Sequence, residues 1–343
     1  MRVVPRTIVI GVGPQGRRTI DVVQGMAELE LTAVVDLSEK ALSELDLPIN
    51  VGRYTSLKEV KDHGALDVVC IASNGPSHRQ LTEEAVALGA KYILVEKPMA
   101  CSSEDCQAMI ELCDTAGVRL AVNQSRRHDP MYRWLRDEIR TGKWGEVRSI
   151  WIQRPGIGLG CLATHSFDLA SFLADSDVLE VSAWIDDVVG KNPRGEQFVD
   201  PGGLVVGTMK SGARMTVAQI EDGAGPMSVE VNLTGARLRI DEKGNDVEII
   251  VRDRTVIPGP NRPPVFDRVA LPEGLSARTN MRVMLTGVLS ELIGGGEMVC
   301  GSRYGKAAVD VLVAAYLSHQ SGHRPVVLSQ LTEEHLAMKL SVT

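Results

Sequence analysis

The chain has 343 residues and a formal net charge of −7, with 44% hydrophobic and 24% charged residues. Its length predicts two domains with sizeable cores, and its composition is that of an ordinary globular protein. No block of basic residues is present, which argues against a nucleic-acid partner, and no apolar run approaches the ~20 residues that span a bilayer, which argues against a membrane protein.

The N-terminal sequence and the cysteines predict a cytoplasmic protein. The first residues run directly into a strand pattern, without the apolar core or cleavage site of a signal peptide. The six cysteines lack CxxC spacing and stand mostly among apolar residues, as reduced thiols in a cytosolic protein do. We therefore expect neither disulfides nor a metal site.

The first third of the chain alternates short apolar strands with amphipathic helices. Repeated βα units of this kind predict a parallel, doubly wound sheet. Strands are expected at 7–10, 31–35, 68–71, 92–95 and 119–121, and helices at 16–29, 38–44, 56–62, 77–88 and 103–116.

Beyond residue 123 longer strand-like runs dominate, which is typical of a largely antiparallel sheet with one face covered. The predicted fold class is α/β. It comprises an N-terminal Rossmann-type domain, 1–122, and a C-terminal α+β domain, 123–343, with a large open sheet. The prediction leaves open that the C-terminal helices pack back on the first domain. Strands are expected at 147–153, 179–185, 203–209, 213–220, 227–233 and 247–251, and helices at 129–141, 165–173, 277–293 and 304–321.

A glycine-rich turn directly follows the first predicted strand and opens a helix. It reads Gly11, Val12, Gly13, Pro14, Gln15, Gly16. Glycines at these positions permit a tight turn, a close approach of the backbone to a diphosphate, and close packing of helix on strand. The strand and helix around the turn predict a dinucleotide site, against the alternative of an incidental glycine turn.

Asp36 ends the second predicted strand. A carboxylate there accepts hydrogen bonds from ribose hydroxyls and repels a 2′-phosphate, which favours NAD over NADP as the cofactor. Lys40 leaves NADP open, because a nearby cation tolerates the phosphate. The alternative role for Asp36 is an ordinary helix cap before Ser38.

A polar turn follows the 68–71 strand at the same edge of the predicted sheet. Ser73 and Asn74 are interpreted as contacts to the ribose and nicotinamide side of the cofactor, with Ser77 as a helix cap. His78 is a further candidate for ligand contact, and its alternative is a residue at the start of a helix.

The apolar strand 92–95 ends in Glu96, Lys97 and Pro98. Proline disfavours the helical region for the residue before it, so Lys97 is held extended at the carboxyl edge of the sheet, where open α/β folds bind ligands. Lys97 is therefore the predicted proton-transfer residue, with Glu96 beside it at the cofactor. The alternative is a surface strand end with an incidental ion pair.

The segment joining the two predicted domains carries Arg126 and Arg127. Two arginines where a strand leaves the cofactor sheet are suited to an anionic substrate group. A solvated interdomain ion pair is the equal alternative. Asp200 precedes a strand and is interpreted as part of a turn, with a position at the border of the substrate cleft as the alternative.

These motifs, with a later His165-x-x-Asp168, resemble in their order the Gfo/Idh/MocA oxidoreductase family, from residue 7 to about 327. The resemblance implies an NAD(P)-dependent enzyme with a Rossmann domain and a C-terminal domain whose open sheet forms homodimers or homotetramers. It implies sugars, cyclitols or nucleotide-linked sugars as substrates.

The resemblance also assigns roles to residues of the two domains. It implies an active-site role and a cis peptide bond for Lys97 and Pro98, and a catalytic role for His165. One helical turn separates His165 from Asp168, so Asp168 is expected to orient the imidazole and to lie at the substrate. Cys161 stands where many family members have aspartate, and a neutral thiol is a poor acceptor for a substrate hydroxyl.

The predicted function is hydride transfer between NAD and a secondary alcohol or ketone of a sugar, cyclitol or nucleotide sugar, with Lys97 and His165 sharing the proton chemistry. Two alternatives stay open. One is an enzyme that oxidises its substrate transiently, with elimination or hydrolysis and no net redox change. The other is a non-enzymatic NAD-binding sensor.

Overall fold

Two sheets form the framework of the protein. The computed structural model describes residues 4–63, 66–156, 158–187, 192, 194–221, 223–257, 259–261 and 263–342. Within these residues, a six-stranded sheet holds the N-terminal strands and a nine-stranded sheet holds the later ones.

The six-stranded sheet is parallel throughout and has the strand order β3-β2-β1-β4-β5-β6. The order reverses between β1 and β4, and open α/β sheets bind ligands outside the carboxyl ends of the strands at such a point. The strands are β1 Arg6–Ile10, β2 Glu30–Val35, β3 Gly52–Tyr54, β4 Val68–Ile71, β5 Tyr92–Val95 and β6 Arg119–Val122, and the helices are α1 Pro14–Gln24, α2 Glu39–Ser43, α3 His78–Ala87 and α4 Ser103–Ala116.

The nine-stranded sheet has the order β14-β13-β12-β11-β7-β10-β9-β8-β15 and is antiparallel except for the central pair of β7 and β10. Inward and outward residues alternate along its strands, because helices cover only one face. Its elements and the later helices are α5 Pro130–Arg140, β7 Val147–Pro155, α6 Thr164–Ala174, β8 Val178–Ile185, β9 Gly203–Met209, β10 Arg214–Ile220, β11 Ser228–Leu233, β12 Ala236–Asp241, β13 Asp246–Arg252, β14 Phe266–Arg268, α7 Met281–Gly294, α8 Ser302–Gln320, β15 Val326–Val327 and α9 Glu333–Ala337.

Helix α7 returns to the first sheet and packs beside α1. Its buried residues Leu285, Val288 and Leu289 belong to the same apolar cluster as Val9 and Ile20. Helix α8 packs against α4 and against β8 of the second sheet. The last long helices therefore contact both sheets.

The predicted fold class is confirmed: a parallel Rossmann sheet precedes a large, mostly antiparallel one. The differences are local. Helix α1 ends at Gln24 rather than near residue 29, because the Gly25 amide closes the helix on the Val22 and Val23 carbonyls. The predicted helix at 56–62 is a 3₁₀ helix, Leu57–His63. Among the described residues, no helix combines the length and the apolar character that crossing a bilayer requires.

Candidate active site

The glycine-rich turn lies at the switch point of the first sheet. Gly11 has φ +86°, and a Cβ on it would stand 2.7 Å from the Ala72 carbonyl oxygen. A Cβ on Gly16 would overlap the Gly11 carbonyl, whereas Gly13 faces open space. No side chain caps the first turn of α1, so its backbone N–H groups remain available to an anion. The turn therefore fits the diphosphate of a dinucleotide.

Asp36 supports this turn from the end of β2. Its carboxylate oxygens accept hydrogen bonds from the backbone N–H groups of Val12, at 2.8 Å, and Ser38, at 2.9 Å. Ser38, not Asp36, caps α2. Each carboxylate oxygen has a second lone pair, so Asp36 keeps acceptor capacity for a ribose hydroxyl.

The polar turn after β4 carries the other predicted cofactor contacts. The Ser73 and Ser77 hydroxyls lie 2.8 Å apart, and Asn74 lies exposed at the start of the following 3₁₀ turn. His78 is fully buried beneath them. Its Nε2 lies 3.1 Å from the Ser73 carbonyl oxygen and its Nδ1 lies 3.1 Å from that of Pro98. His78 therefore connects two turns at the carboxyl edge of the sheet, the second of which carries Lys97.

Lys97 is buried at the end of β5, with 6% of the residue exposed, and its bond to Pro98 is cis, as expected. The ammonium donates a hydrogen bond of 2.7 Å to the Cys161 carbonyl oxygen. Burial lowers the pKa of Lys97 below its ordinary range, although Glu96 and Cys161 act in the opposite direction. Glu96 itself is held by the Asn123 side-chain amide, at 2.6 Å.

The segment that receives this lysine is a π-helical turn, Leu159–Ala163, which leads directly into α6. The buried carboxylate of Asp200 accepts hydrogen bonds of 2.7 Å from the backbone N–H groups of Gly160 and Cys161. The sequence favoured a plain turn at Asp200, whereas in the structure its carboxylate shapes this segment. π-Helical turns interrupt regular hydrogen bonding and often occur at functional sites.

His165 lies in the first turn of α6, half-buried beside Lys97. Its Nδ1 faces the side-chain oxygen of Gln124 at 3.1 Å and so carries the hydrogen, while no described residue bonds Nε2. Burial and the nearby Lys97, Arg126 and Arg154 hold the pKa of His165 well below its ordinary 6.5. The imidazole is therefore neutral at physiological pH, with an acceptor lone pair on Nε2.

Asp168 does not orient the imidazole, which corrects the expectation from its helical spacing. Its carboxylate is fully engaged by Arg127, whose Nε lies 2.9 Å from both oxygens. This pair is buried, and the Arg127 guanidinium also lies 3.7 Å from the centre of the Tyr304 ring. The position facing the imidazole is taken by Gln124 instead.

Arg126 is likewise held in a buried ion pair. Its Nε and Nη2 atoms each lie 3.0 Å from an oxygen of Glu242, which also accepts a hydrogen bond of 2.9 Å from the Tyr132 hydroxyl. The structure thus places both predicted anion-binding arginines in ion pairs with carboxylates of the chain. Of the two readings of these residues, it favours the ion pairs, which are buried rather than solvated.

The sequence analysis did not identify Gln124 and Arg154 as candidate site residues. Arg154 is the penultimate residue of β7 and lies on the face that holds the buried Ile150 and Ile152. Its Nη1 donates a hydrogen bond of 3.3 Å to the Leu162 carbonyl oxygen. An arginine at an inward position of an apolar strand is the signal that could have identified it, because such positions rarely hold an unpaired charge.

A second cluster of polar groups lies behind Gln124. The ligand atoms of His128, Glu291 and Cys300 fall within 4.8 Å of one another. The Glu291 carboxylate accepts hydrogen bonds from His128 Nε2 and from the Cys300 backbone N–H, both at 3.2 Å, and the Cys300 thiol donates to the Gln124 carbonyl oxygen. These hydrogen bonds indicate that the cluster supports the segment that carries Gln124.

Comparison with known proteins identifies the nucleotide-binding part of the chain. Residues 6–124 match the family model of the Gfo/Idh/MocA proteins, described as an oxidoreductase family with an NAD-binding Rossmann fold. An inositol 2-dehydrogenase of Rhizobium meliloti is 26% identical over 202 residues, covering 53% of this chain and 59% of that protein. A D-apiose dehydrogenase of Paraburkholderia graminis is 32% identical over 191 residues, covering 51% and 50%. The chain thus spans between half and three fifths of the length of these relatives.

The whole fold has counterparts among solved structures. The crystal structure of an oxidoreductase from Agrobacterium radiobacter, in complex with NAD+, L-tartaric acid and magnesium, aligns with a TM-score of 0.77. The alignment covers 96% of this chain and 100% of that chain, at 20% identity. The likeness shows that both sheets and their arrangement are shared.

Proposed function

Residues 6–124 match the Gfo/Idh/MocA oxidoreductase family, and on this premise we propose that the chain is a member of that family and transfers a hydride between NAD and a secondary alcohol or ketone of a sugar or cyclitol. One observation carries the proposal. A buried lysine stands at the carboxyl edge of the sheet that holds the glycine-rich turn, near enough to a neutral imidazole for its charge to lower the pKa of that imidazole. The names of the relatives, inositol 2-dehydrogenase and D-apiose dehydrogenase, support a polyhydroxylated substrate.

The residues present fit the cofactor. The open backbone at Gly13 and the uncapped start of α1 would hold the diphosphate, and Asp36 would accept a ribose hydroxyl. The turn of Ser73 and Asn74 lies at the same edge and would contact the ribose and nicotinamide side of the cofactor. NAD supplies a hydride acceptor in this position, and the protein supplies orientation and proton transfer.

His165 acts as the general base in the direction of oxidation. Its Nε2 lone pair takes the hydroxyl proton of the substrate, and its lowered pKa keeps that lone pair available at neutral pH. Lys97 donates a hydrogen bond to the same substrate oxygen, which stabilises the negative charge that develops there. In the direction of reduction, the lysine polarises the carbonyl and the imidazolium returns the proton.

We further propose that the protein is a homodimer or homotetramer assembled through the open face of its second sheet. Trp151 is 57% exposed and Trp184 is 45% exposed, and both lie on the face that no helix covers. Leu204 pairs with Trp184 across strands and is exposed on the same face. Exposed aromatic and aliphatic residues of this kind commonly mark a protein interface.

The test of the proposed reaction is NADH formation at 340 nm from NAD and a panel of sugars and cyclitols. Lys97→Ala should lower turnover by about 10²–10⁴-fold, the range of a group that acts on a proton in the transition state. NADH affinity, measured by fluorescence titration, should stay nearly unchanged because the glycine-rich turn is untouched. Lys210→Ala, which removes an exposed lysine paired with Asp177, is the matched control.

The outcomes separate the proposed reaction from its alternatives. Net NADH formation that depends on Lys97 supports hydride transfer to free NAD. Substrate conversion without net NADH indicates the transient-oxidation alternative. Cofactor binding with no conversion of any panel member, together with wild-type behaviour of Lys97→Ala, contradicts an enzymatic role.

A further inference from the structure

Arg154 differs from the two other arginines near the candidate site. Arg126 and Arg127 each bind a carboxylate of the chain through two guanidinium nitrogens. Arg154 is half-buried, donates one hydrogen bond of 3.3 Å to the Leu162 carbonyl oxygen, and forms no ion pair with a carboxylate in the described part of the chain. A guanidinium has five N–H donors, so most of its binding capacity is unused by these residues.

The contacts of Arg154 place it next to the proton-transfer residues. Lys97 donates to the Cys161 carbonyl oxygen and Arg154 donates to the next carbonyl, that of Leu162. The same π-helical turn leads within three residues to His165. Arg154 thus approaches from the second sheet the segment that Lys97 approaches from the first.

The neighbouring carboxylates are already engaged elsewhere. Glu242 is bound bidentately by Arg126 and accepts the Tyr132 hydroxyl. Asp200 accepts two backbone N–H groups of the π-helical turn. Burial and Arg126 lower the pKa of Arg154 to about 10, and Arg154 in turn lowers the pKa of both Lys97 and His165. Among the described residues, neither of these carboxylates pairs with the Arg154 guanidinium.

We propose that Arg154 binds a negatively charged group of the substrate and so selects acidic sugars over neutral ones. A guanidinium suits the planar carboxylate of a uronate and the oxygens of a sugar phosphate alike. The anion pairs with the guanidinium, and its attachment to Arg154 holds the carbinol carbon between Lys97 and His165. This inference rests on the proposed function and narrows its substrate class.

The test compares D-glucuronate, D-glucose 6-phosphate and D-glucose as probes of the NAD-loaded protein. Binding is measured by isothermal titration calorimetry and oxidation by NADH formation. We expect at least one charged probe to bind about tenfold or more tightly than glucose, as a charge-assisted hydrogen bond provides. Preference between glucuronate and glucose 6-phosphate distinguishes a carboxylate site from a phosphate site.

Arg154→Met should weaken binding of the preferred charged probe by about 10- to 100-fold while changing glucose binding by no more than about twofold. Arg154→Lys keeps the charge and should recover part of the loss, which a variant that merely unfolds the site would not do. The control is Arg148→Met on the same strand, because Arg148 is exposed and paired with Glu146.

Equal binding of charged and neutral probes, an equal effect of Arg154→Met on both, or no binding of either anion overturns the inference. The proposed function fails separately. Anion binding that depends on Arg154 without any NADH formation leaves the subsite standing and removes hydride transfer. NADH formation from glucose that is independent of Arg154 supports hydride transfer and removes the anion subsite.

Discussion

The contact between Gln124 and His165 decides which imidazole nitrogen is available for proton transfer. The Gln124 side-chain oxygen holds the hydrogen on Nδ1 and leaves Nε2 as the acceptor. Gln124 touches neither reacting atom and acts through the imidazole, so it is a positioning residue. Its own position depends on the buried cluster behind it, since the Cys300 thiol donates to its backbone carbonyl.

The pH dependence of the reaction provides a test of this arrangement. Because the pKa of His165 lies below its ordinary value, the imidazole stays unprotonated as the pH falls through 6.5. The acid limb of kcat/KM should therefore lie below pH 6.5. Gln124→Glu places a carboxylate at Nδ1, stabilises the imidazolium and should raise that limb by about 1–3 pH units.

Gln124→Leu should lower kcat without raising the acid limb, because it removes the orienting acceptor and adds no charge. Gln107→Glu, on the exposed surface of α4, introduces the same charge far from the imidazole and should leave the profile unchanged. An unshifted acid limb in Gln124→Glu would show that His165 is not the base or that Gln124 is not its partner.

The residues of the candidate site were predictable from the sequence where they belong to a local sequence pattern. Lys97 stands out because a buried strand ends in two charges and a proline, and His165 stands out only as part of a longer motif. Arg126 and Arg127 are neighbours in sequence, yet their carboxylate partners lie 116 and 41 residues away. Pairing across such separations depends on the packing of two sheets, which one sequence does not specify.

At the scale of elements, the π-helical turn Leu159–Ala163 joins the end of β7 to α6 and presents its carbonyls to two cations. Its shape depends on Asp200, which lies just before β9 and accepts two consecutive N–H groups. A substitution remote from the reacting atoms should therefore disturb the site by deforming this turn.

Asp200→Asn tests that dependence. An amide offers one oxygen where the carboxylate offers two, so one buried N–H group loses its acceptor, at a cost of about 1–3 kcal/mol in the free energy of unfolding. We expect a lower Tm by calorimetry and a fall in kcat larger than the change in NADH affinity. Asp177→Asn, at an exposed ion pair with Lys210, is the control. Wild-type kcat and Tm in Asp200→Asn would show that the turn holds its shape without the carboxylate.

The elements themselves were predictable to different degrees. Strands β4 and β5 follow from apolar runs, and helix α4 has the bounds that its amphipathic pattern predicted, with Ser102 as its cap in the structure. The alternating pattern of β12 was missed, although its inward Leu238 and Ile240 fit a strand with one buried face. The π-helical turn had no local signal, because the carboxylate that shapes it lies about 40 residues later in the chain.

For the whole molecule, the consequence of a sheet covered on one face only is an exposed apolar surface around Trp151 and Trp184. Trp184→Glu should shift the mass measured by light scattering from a homodimer or homotetramer towards a smaller species, since a charge is strongly disfavoured in a buried interface. Ile49→Glu changes a fully exposed apolar residue in the first part of the chain and should leave the mass unchanged. A wild-type mass equal to that of the monomer would contradict assembly through this face.

The Lys97 hydrogen bond to the Cys161 carbonyl joins the end of a strand in the first sheet to a turn of the second. A substrate oxygen that approaches the ammonium enters into competition with that carbonyl. Substrate binding and the relative position of the two sheets are therefore thermodynamically linked. A ligand that draws the lysine away breaks the hydrogen bond between Lys97 and Cys161. A mutation that weakens this hydrogen bond should increase the apparent affinity for substrate. The residue that we propose for the proton chemistry thus also forms a contact between the two sheets.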